Sequence, residues 1–317
     1  MKIGVSSCLL GNQCRYDGSG AKDKFVVDEL TQYFELIGYC PEEPIFGTPR
    51  DTIRLVEVQE KVRVHIGKSG EDVTSKLQDS SMQFAKKAKV DNLCGFILKS
   101  KSPTCGLERV KVYQQNNNAP SEKKGIGFFA KELKKVYPYL PIEEEGRLND
   151  PWLKENFLMQ VFSFADITTF LKNKPQFKEL VAFHTTYKYL IYAKSESAYK
   201  TLGNIVANHQ KLPLKEVLDA YKIEFFKAIS EKGTIKKTYN VLLHILGYFK
   251  KLITKEEKEH ILDACNEYKN GIIPLIAVTK LINLYVKRFH QSYLESQKFL
   301  NPYPKELSLR SDIKAYK

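Results

Sequence analysis

The sequence predicts two domains of different class: an α/β N-terminal layered domain with a largely parallel sheet, and an all-α helical C-terminal domain. Two patterns predict this. Short apolar strands alternate with amphipathic stretches through the first half, and from Asp150 onward about seven helical patterns occur with no strand between them. A third observation separates the halves by charge. Residues 1–150 carry 23 Lys/Arg against 21 Asp/Glu, a net of +2, whereas residues 151–317 carry 27 against 16, a net of +11.

The elements follow in chain order. Lys2–Ser7 is predicted as a strand, because Ile3 and Val5 lie in a short β-prone run. Helical spacing at Val26, Leu30, Tyr33, Phe34 and Ile37 predicts a helix over Phe25–Ile37. Ile53–Ile66 alternates at Val62, Val64 and Ile66, as in a hairpin, and Gly67–Gly70 breaks it. A helix over Val73–Ala88 precedes the continuous apolar run Leu93–Leu98, which predicts a strand buried on both faces. Ile126–Leu140 is a further helix. In the second half Pro213 opens a helix with apolar Leu214, Val217, Leu218 and Tyr221. Thr254 to Glu257 is a capping box, Asn270-Gly271 ends that helix, and Pro274 begins the next. The domain boundary is placed near Asp150-Pro151, giving domains 1–148 and 149–317.

Composition bounds the function. The chain has 317 residues, 43% hydrophobic and 27% charged, which is globular composition. No apolar run approaches the roughly 20 residues of a membrane helix, and the N-terminus lacks a signal-peptide pattern. A cytoplasmic protein with no membrane partner is the expectation. The net charge of +13 lies mostly in the second half, which points to a polyanion there. Lys outnumbers Arg by 42 to 8, so a bias in composition is the competing explanation.

Five of the six cysteines fall within the first 105 residues. Without a secretory context, such clustering indicates metal binding or catalysis rather than disulfides. No CxxC is present, which argues against zinc ribbons and thioredoxin-like chemistry. Cys94 and Cys265 lie in apolar segments and read as core residues. Three other segments differ. Ser7-Cys8-Leu9-Leu10-Gly11-Asn12-Gln13-Cys14-Arg15-Tyr16-Asp17-Gly18 follows the first strand. Cys40-Pro41-Glu42-Glu43 is followed by Gly47-Thr48-Pro49-Arg50. Ser102-Pro103-Thr104-Cys105-Gly106 comes just after the buried strand. Read as loops after strands of a parallel sheet, they gather on one edge, and Cys8, Cys40 and Cys105 can converge. Thiolates from separate loops suit an iron–sulfur cluster. Cys14 is open to three readings: fourth ligand, redox partner or packing residue. Glu42, Glu43 and Ser102 lie within loop reach for acid–base work, with a surface acid and a turn cap as the plainer roles.

Together these segments resemble the TudS-type desulfidases, which remove sulfur from thiolated uracil, and the resemblance covers about the first 145 residues. The stretch Phe183-His184-Thr185-Thr186-Tyr187-Lys188-Tyr189-Leu190, with Ala193-Lys194-Ser195 and Tyr199 through Leu202-Gly203, resembles the YbgA-like domain, as does Glu145-Gly146-Arg147-Leu148. Their combination resembles the RudS-type enzymes that act on 4-thiouridine in tRNA. The resemblance implies a 4Fe–4S cluster on Cys8, Cys40 and Cys105, with Glu42 and Ser102 as catalytic residues. Thr104 departs from the family pattern, where Ser is expected.

The activity so implied is non-redox desulfuration of thiolated uracil, foremost 4-thiouridine in tRNA to uridine with release of hydrosulfide. Free 2-thiouracil as substrate, or an iron–sulfur sensor that binds nucleic acid, are the alternatives. Three cysteine ligands leave one iron open as a Lewis acid, whereas four would favour the sensor. Tyr187, Tyr189, Tyr192 and Tyr199 run through the basic half, and their helical spacing favours packing over base stacking. His184 is expected to be a hydrogen-bonded helix histidine.

Overall fold

The computed structural model describes residues 1–115 and 120–308. They pack as two units, Met1–Phe157 and Leu158–Lys317. The first unit runs β1 (Lys2–Ser6), β2 (Glu35–Tyr39), α1 (Glu43–Phe46), β3 (Ile53–Val58), β4 (Lys61–Ile66), α2 (Thr74–Val90), β5 (Gly95–Leu98), β6 (Val110–Gln114), β7 (Glu122–Gly125), α3 (Phe128–Val136) and β8 (Ile142–Glu144).

One sheet has the order β2-β1-β5-β8, and every pairing in it is parallel. Ile3, Val5, Phe96, Ile97 and Leu98 are wholly buried in it, as a sheet covered on both faces requires. Gly4 is there because nothing larger fits. A Cβ at that position would lie 2.3 Å from the Phe96 ring and 2.7 Å from Leu93. Tyr39 ends β2 against Phe96, with ring centroids 5.2 Å apart. The α/β class and the parallel sheet agree with the sequence reading.

A second sheet, β4-β3-β6-β7, adds to it. β3 pairs antiparallel with β4 and parallel with β6, and β6 pairs antiparallel with β7. Leu55, Val64, Val73, Leu77, Val110 and Val112 form its core. The expected hairpin over Ile53–Ile66 is β3 and β4, and the expected helix at Val73–Ala88 is α2.

The helix expected over Phe25–Ile37 does not form as one element. Phe25–Glu29 and Leu30–Gln32 are short irregular helical turns, and Glu35–Tyr39 is β2. Val26 and Val27 are β-branched, which disfavours an isolated helix of this length. Parallel pairing then captures the later residues, with Ile37 opposite Gly4 and Tyr39 opposite Ser6.

From residue 151 the described chain is helical: α4 (Pro151–Lys172), α5 (Phe177–Lys194), α6 (Glu196–Ala207), α7 (Leu214–Ser230), α8 (Ile235–Leu246), α9 (Lys255–Lys269), α10 (Leu275–Arg288) and the short α11 (Ser292–Glu295). Thr254 forms the capping box with Glu257, Pro274 stands immediately before α10, and Gly271 turns the chain between them at φ 75°. Aromatic residues fill the interior, with Phe164 on Phe226 at 4.8 Å and Tyr187 on Phe225 at 5.0 Å. Among the described residues no helix is long and apolar enough to cross a membrane.

Replacing Gly4 tests the close approach at the parallel sheet. Gly4→Ala forces a shift in Phe96 and Leu93, and overpacking of this kind costs about 1–3 kcal/mol. Denaturant unfolding of the variant should show that loss, and unchanged stability would contradict the packing described.

Candidate functional site

The carboxyl ends of β1, β2, β5 and β8 lie on one edge of the parallel sheet. After β1 the chain makes a short helical turn, Ser7–Leu10, which Gly11 ends at φ 96° while its amide donates to the Cys8 carbonyl at 3.0 Å. The same carbonyl accepts from Ala21 at 2.9 Å, which folds the loop carrying Cys14 back on itself. Cys40 follows β2 directly. Cys105 sits in the loop after β5, where the Ser102 hydroxyl oxygen accepts the amides of Thr104 and Cys105, each at 3.1 Å.

These loops bring four thiols together. Cys14 is hydrogen-bonded through its side chain to both Cys40 and Cys8. Cys105 bonds to the Ser6 hydroxyl and lies close enough to Cys40, Cys14 and Glu42 to feel their charge. Cys8, Cys14 and Cys105 are buried, and Cys40 is partly so. The environment of Cys14, Cys40 and Cys105 favours the neutral thiol. The bond with Cys40 pulls the Cys14 thiol down, but the bond with Cys8, burial and neighbouring charge leave it raised to about 11. The Cys14 bond and burial push Cys40 far above the usual thiol range, and burial does the same to Cys105. Thiolates at this edge therefore need a strong positive charge beside them, as soft-metal or iron–sulfur ligation supplies. The donor set fits such a group: buried sulfurs from separate loops. Among the described residues, no three His, Cys, Asp or Glu side chains are arranged to hold a single metal ion. Cys94 and Cys265 lie apart in the core, as expected, and burial raises each to about 11.

Glu42 and Glu43 part company in the fold. Glu42 is paired with Arg50 at 2.6 Å, with the two side chains 15% and 6% exposed. Glu43 is exposed and contributes its backbone amide, which donates to the Cys40 sulfur. Arg50 does more than pair. Its Nη1 donates to the carbonyls of Cys14 at 3.0 Å and Gly47 at 2.9 Å, and its amide donates to the Tyr16 carbonyl at 2.8 Å. One arginine thus ties the first cysteine loop to the second and aims the Glu42 carboxylate.

The third loop is held by β8. Glu145 accepts the Ser100 amide at 2.7 Å and the Ser100 hydroxyl at 2.9 Å, and it also pairs with Lys99. Glu144 accepts the Leu107 amide at 2.7 Å, with burial raising its carboxyl above the ordinary range. Arg147 bonds Glu143 at 2.7 Å and pairs with Glu108. In the sequence, Glu145 to Leu148 resembled part of the helical domain's signature. In the structure these residues brace the Cys105 loop within the first unit. Three consecutive acids, Glu143 to Glu145, running through the end of β8, are the signal that marks them.

In the helical unit, Tyr187 and Tyr189 are core residues, 1% and 6% exposed, whereas Tyr192 and Tyr199 are half-buried. His184 Nδ1 lies 3.3 Å from the Tyr221 hydroxyl, and burial with the nearby Lys188 charge lowers it to about 4. It is the hydrogen-bonded helix histidine that the sequence suggested.

Removing the arginine should be costly. Arg50→Ala leaves Glu42 buried without its partner, and breaking a buried pair from one side costs about 3–5 kcal/mol. Arg50→Lys should recover only part of it, because an ammonium cannot span the carboxylate and the two carbonyls as the guanidinium fork does. Denaturant unfolding of both variants measures this, and an Arg50→Ala protein as stable as the parent would show that the clamp carries no energy.

Comparison with known proteins gives a consistent picture. Residues 3–145 match the model of the 2-thiouracil desulfurase family, and residues 188–304 match a family described only as a protein of unknown function, DUF1722. The chain is 25% identical over 157 residues to the uncharacterized protein YbgA of Escherichia coli K12, spanning 49% of this chain and 93% of that protein. It is 34% identical over 108 residues to the uncharacterized protein YbbK of Bacillus subtilis 168, spanning 32% of this chain and 71% of that protein. A solved structure of the [4Fe-4S]-dependent thiouracil desulfidase TudS aligns at 27% identity and a TM-score of 0.39, covering 47% of this chain and 93% of that one. On its family match and its YbbK relative, the chain belongs to the 2-thiouracil desulfurase family, here joined to a YbgA-like helical region.

Proposed function

We propose that the protein is a cytoplasmic desulfidase that converts 4-thiouridine in tRNA to uridine and releases hydrosulfide. The observation that carries the reading is the gathering of Cys8, Cys40, Cys105, Glu42 and Ser102 at one sheet edge in a chain of the desulfurase family. The exchange balances without electron transfer. Water supplies the oxygen of the new C–O bond, the C–S bond breaks, and sulfur leaves with a proton.

Cys8, Cys40 and Cys105 would hold a 4Fe–4S cluster, the group that the aligned desulfidase TudS requires. When bound, such a cluster with one iron free of protein sulfur supplies a Lewis acid for the exocyclic sulfur. Glu42 takes the proton from the attacking water, or carries one to the ring nitrogen, and Arg50 holds its carboxylate in place for that step. Ser102 Oγ already accepts two amides, so its own hydrogen is left to donate to substrate or to relay a proton. Glu43, exposed at the surface, takes no part. The domain from residue 149 onward, with its net charge of +11, binds the phosphates of tRNA.

Anaerobic reconstitution followed by nucleoside analysis of bulk tRNA tests the activity. 4-Thiouridine should fall and hydrosulfide should appear, only with the reconstituted protein. Conversion of free 2-thiouracil with tRNA left untouched would favour the free base as substrate instead.

Single variants separate the roles. Cys8→Ala, Cys40→Ala and Cys105→Ala should lose iron on anaerobic purification, and Cys14→Ala should keep it. Iron lost from Cys14→Ala and kept in Cys8→Ala would overturn the assignment. Glu42→Gln and Ser102→Ala should keep their iron and lose roughly 10²–10⁴-fold in turnover. Near-normal turnover in Glu42→Gln would move the acid–base role to another group.

A further inference from the structure

The helical unit contains a cleft that no part of the desulfuration chemistry uses. It lies between α5, α6 and α11, is open to solvent and offers about 660 Å³. That is far more than one phosphate needs and lies within the range of small-ligand pockets. None of its lining residues is acidic. Lys188 and Lys200 supply positive charge. Tyr199 and Tyr293 supply ring surface, and Thr185 and Asn204 supply neutral hydrogen-bonding groups.

The lining residues suit an anion. Among the described residues Lys188 has no carboxylate partner, and its ammonium lies 5.9 Å from the Tyr199 ring centroid. Lys200 bonds Glu196 at 2.8 Å, but both side chains are well exposed, so the pair is weak and easily exchanged for another anion. His184 is neutral at pH 7 and adds no charge. The rings are held rigidly. Tyr199 packs on Tyr192 at 5.1 Å, and Tyr293 stacks on Tyr248 at 5.5 Å and 14°.

Gly203 is the independent observation. It sits inside α6, where glycine is the poorest helix former after proline. A Cβ added there would meet nothing within 4 Å. The fold therefore has no use for glycine at this position, yet the bare backbone faces the cleft. A ligand that must pass close to the helix would account for it.

We propose that this cleft seats one nucleotide of an RNA strand. The phosphate lies at Lys188 and Lys200, the base stacks against the tyrosine rings, and the sugar–phosphate chain crosses α6 at Gly203. Volume, paired cations and aromatic faces together favour a nucleotide over a simple anion. The inference rests on the reading that the helical region carries RNA, and it names the place where it does so.

The test uses the full chain, with bulk tRNA and a short oligouridylate as probes and polyglutamate as a non-nucleotide polyanion. Lys188→Gln should weaken RNA binding roughly tenfold and lower the slope of log affinity against log salt by about one. Gly203→Ala should raise the melting temperature, because alanine favours the helix and meets no atom, and should weaken RNA binding all the same. Lys86→Gln, exposed on α2 in the first unit and outside the basic domain, should leave the affinity within twofold of the parent, a ~0.4 kcal/mol allowance. Variants that bind both RNAs like the parent overturn the cleft and leave the tRNA reading standing. Oligouridylate held in the cleft, with tRNA never desulfurated, supports the cleft and sinks the tRNA reading. A parent chain that binds neither RNA overturns both. Polyglutamate bound as tightly as oligouridylate overturns the nucleotide in favour of a general anion patch.

Discussion

Parallel pairing of β1 with β2 and β5 is the constraint on which the site depends. It points the carboxyl end of every strand in that sheet the same way, so the loops after β1, β2 and β5 share an edge. The cysteines come from three segments distant in sequence, Cys8 with Cys14, then Cys40, then Cys105, and these segments would not meet without this alignment. At Gly4 the absence of a side chain lets Phe96 and Leu93 pack directly on the β1 backbone.

Gathering thiols, a carboxylate and a guanidinium in one buried place is expensive, because each polar group gives up water. The structure offsets this with hydrogen bonds rather than apolar area. Arg50 satisfies two carbonyls and a carboxylate at once, Ser102 satisfies two amides, and Glu144 and Glu145 satisfy the backbone of the third loop. Such a network is stable only when nearly every member is paired. The loops are thereby held in one arrangement, which is what ligation from several loops demands.

The helical region solves a different problem. Its core is aromatic, and its capped helices carry charge outward. The cations are almost all lysine, a point charge on a flexible stem, where arginine would give planar bidentate recognition. Such a surface suits contact with phosphates of many positions rather than the reading of a particular base edge.

The sequence by itself determined the class of each half, the capping box at Thr254, the helix start at Pro274, the buried strand near Phe96 and the loops that carry the cysteines. These follow from local chemistry: periodicity, capping groups and turn residues act over a few positions. Only the tertiary structure decided what lies at longer range. Strand β2 replaced the end of an expected helix because its partner lies over thirty residues away, Ile37 opposite Gly4. The second sheet, the placing of Cys14 between Cys8 and Cys40, and the pairing of Glu42 with Arg50 were equally out of reach of local pattern. The clamp by Arg50 and the bracing acids on β8 join segments that share no sequence neighbourhood. Their partners are chosen by packing geometry, and that geometry exists only once the parallel strands have brought the loops to a common edge.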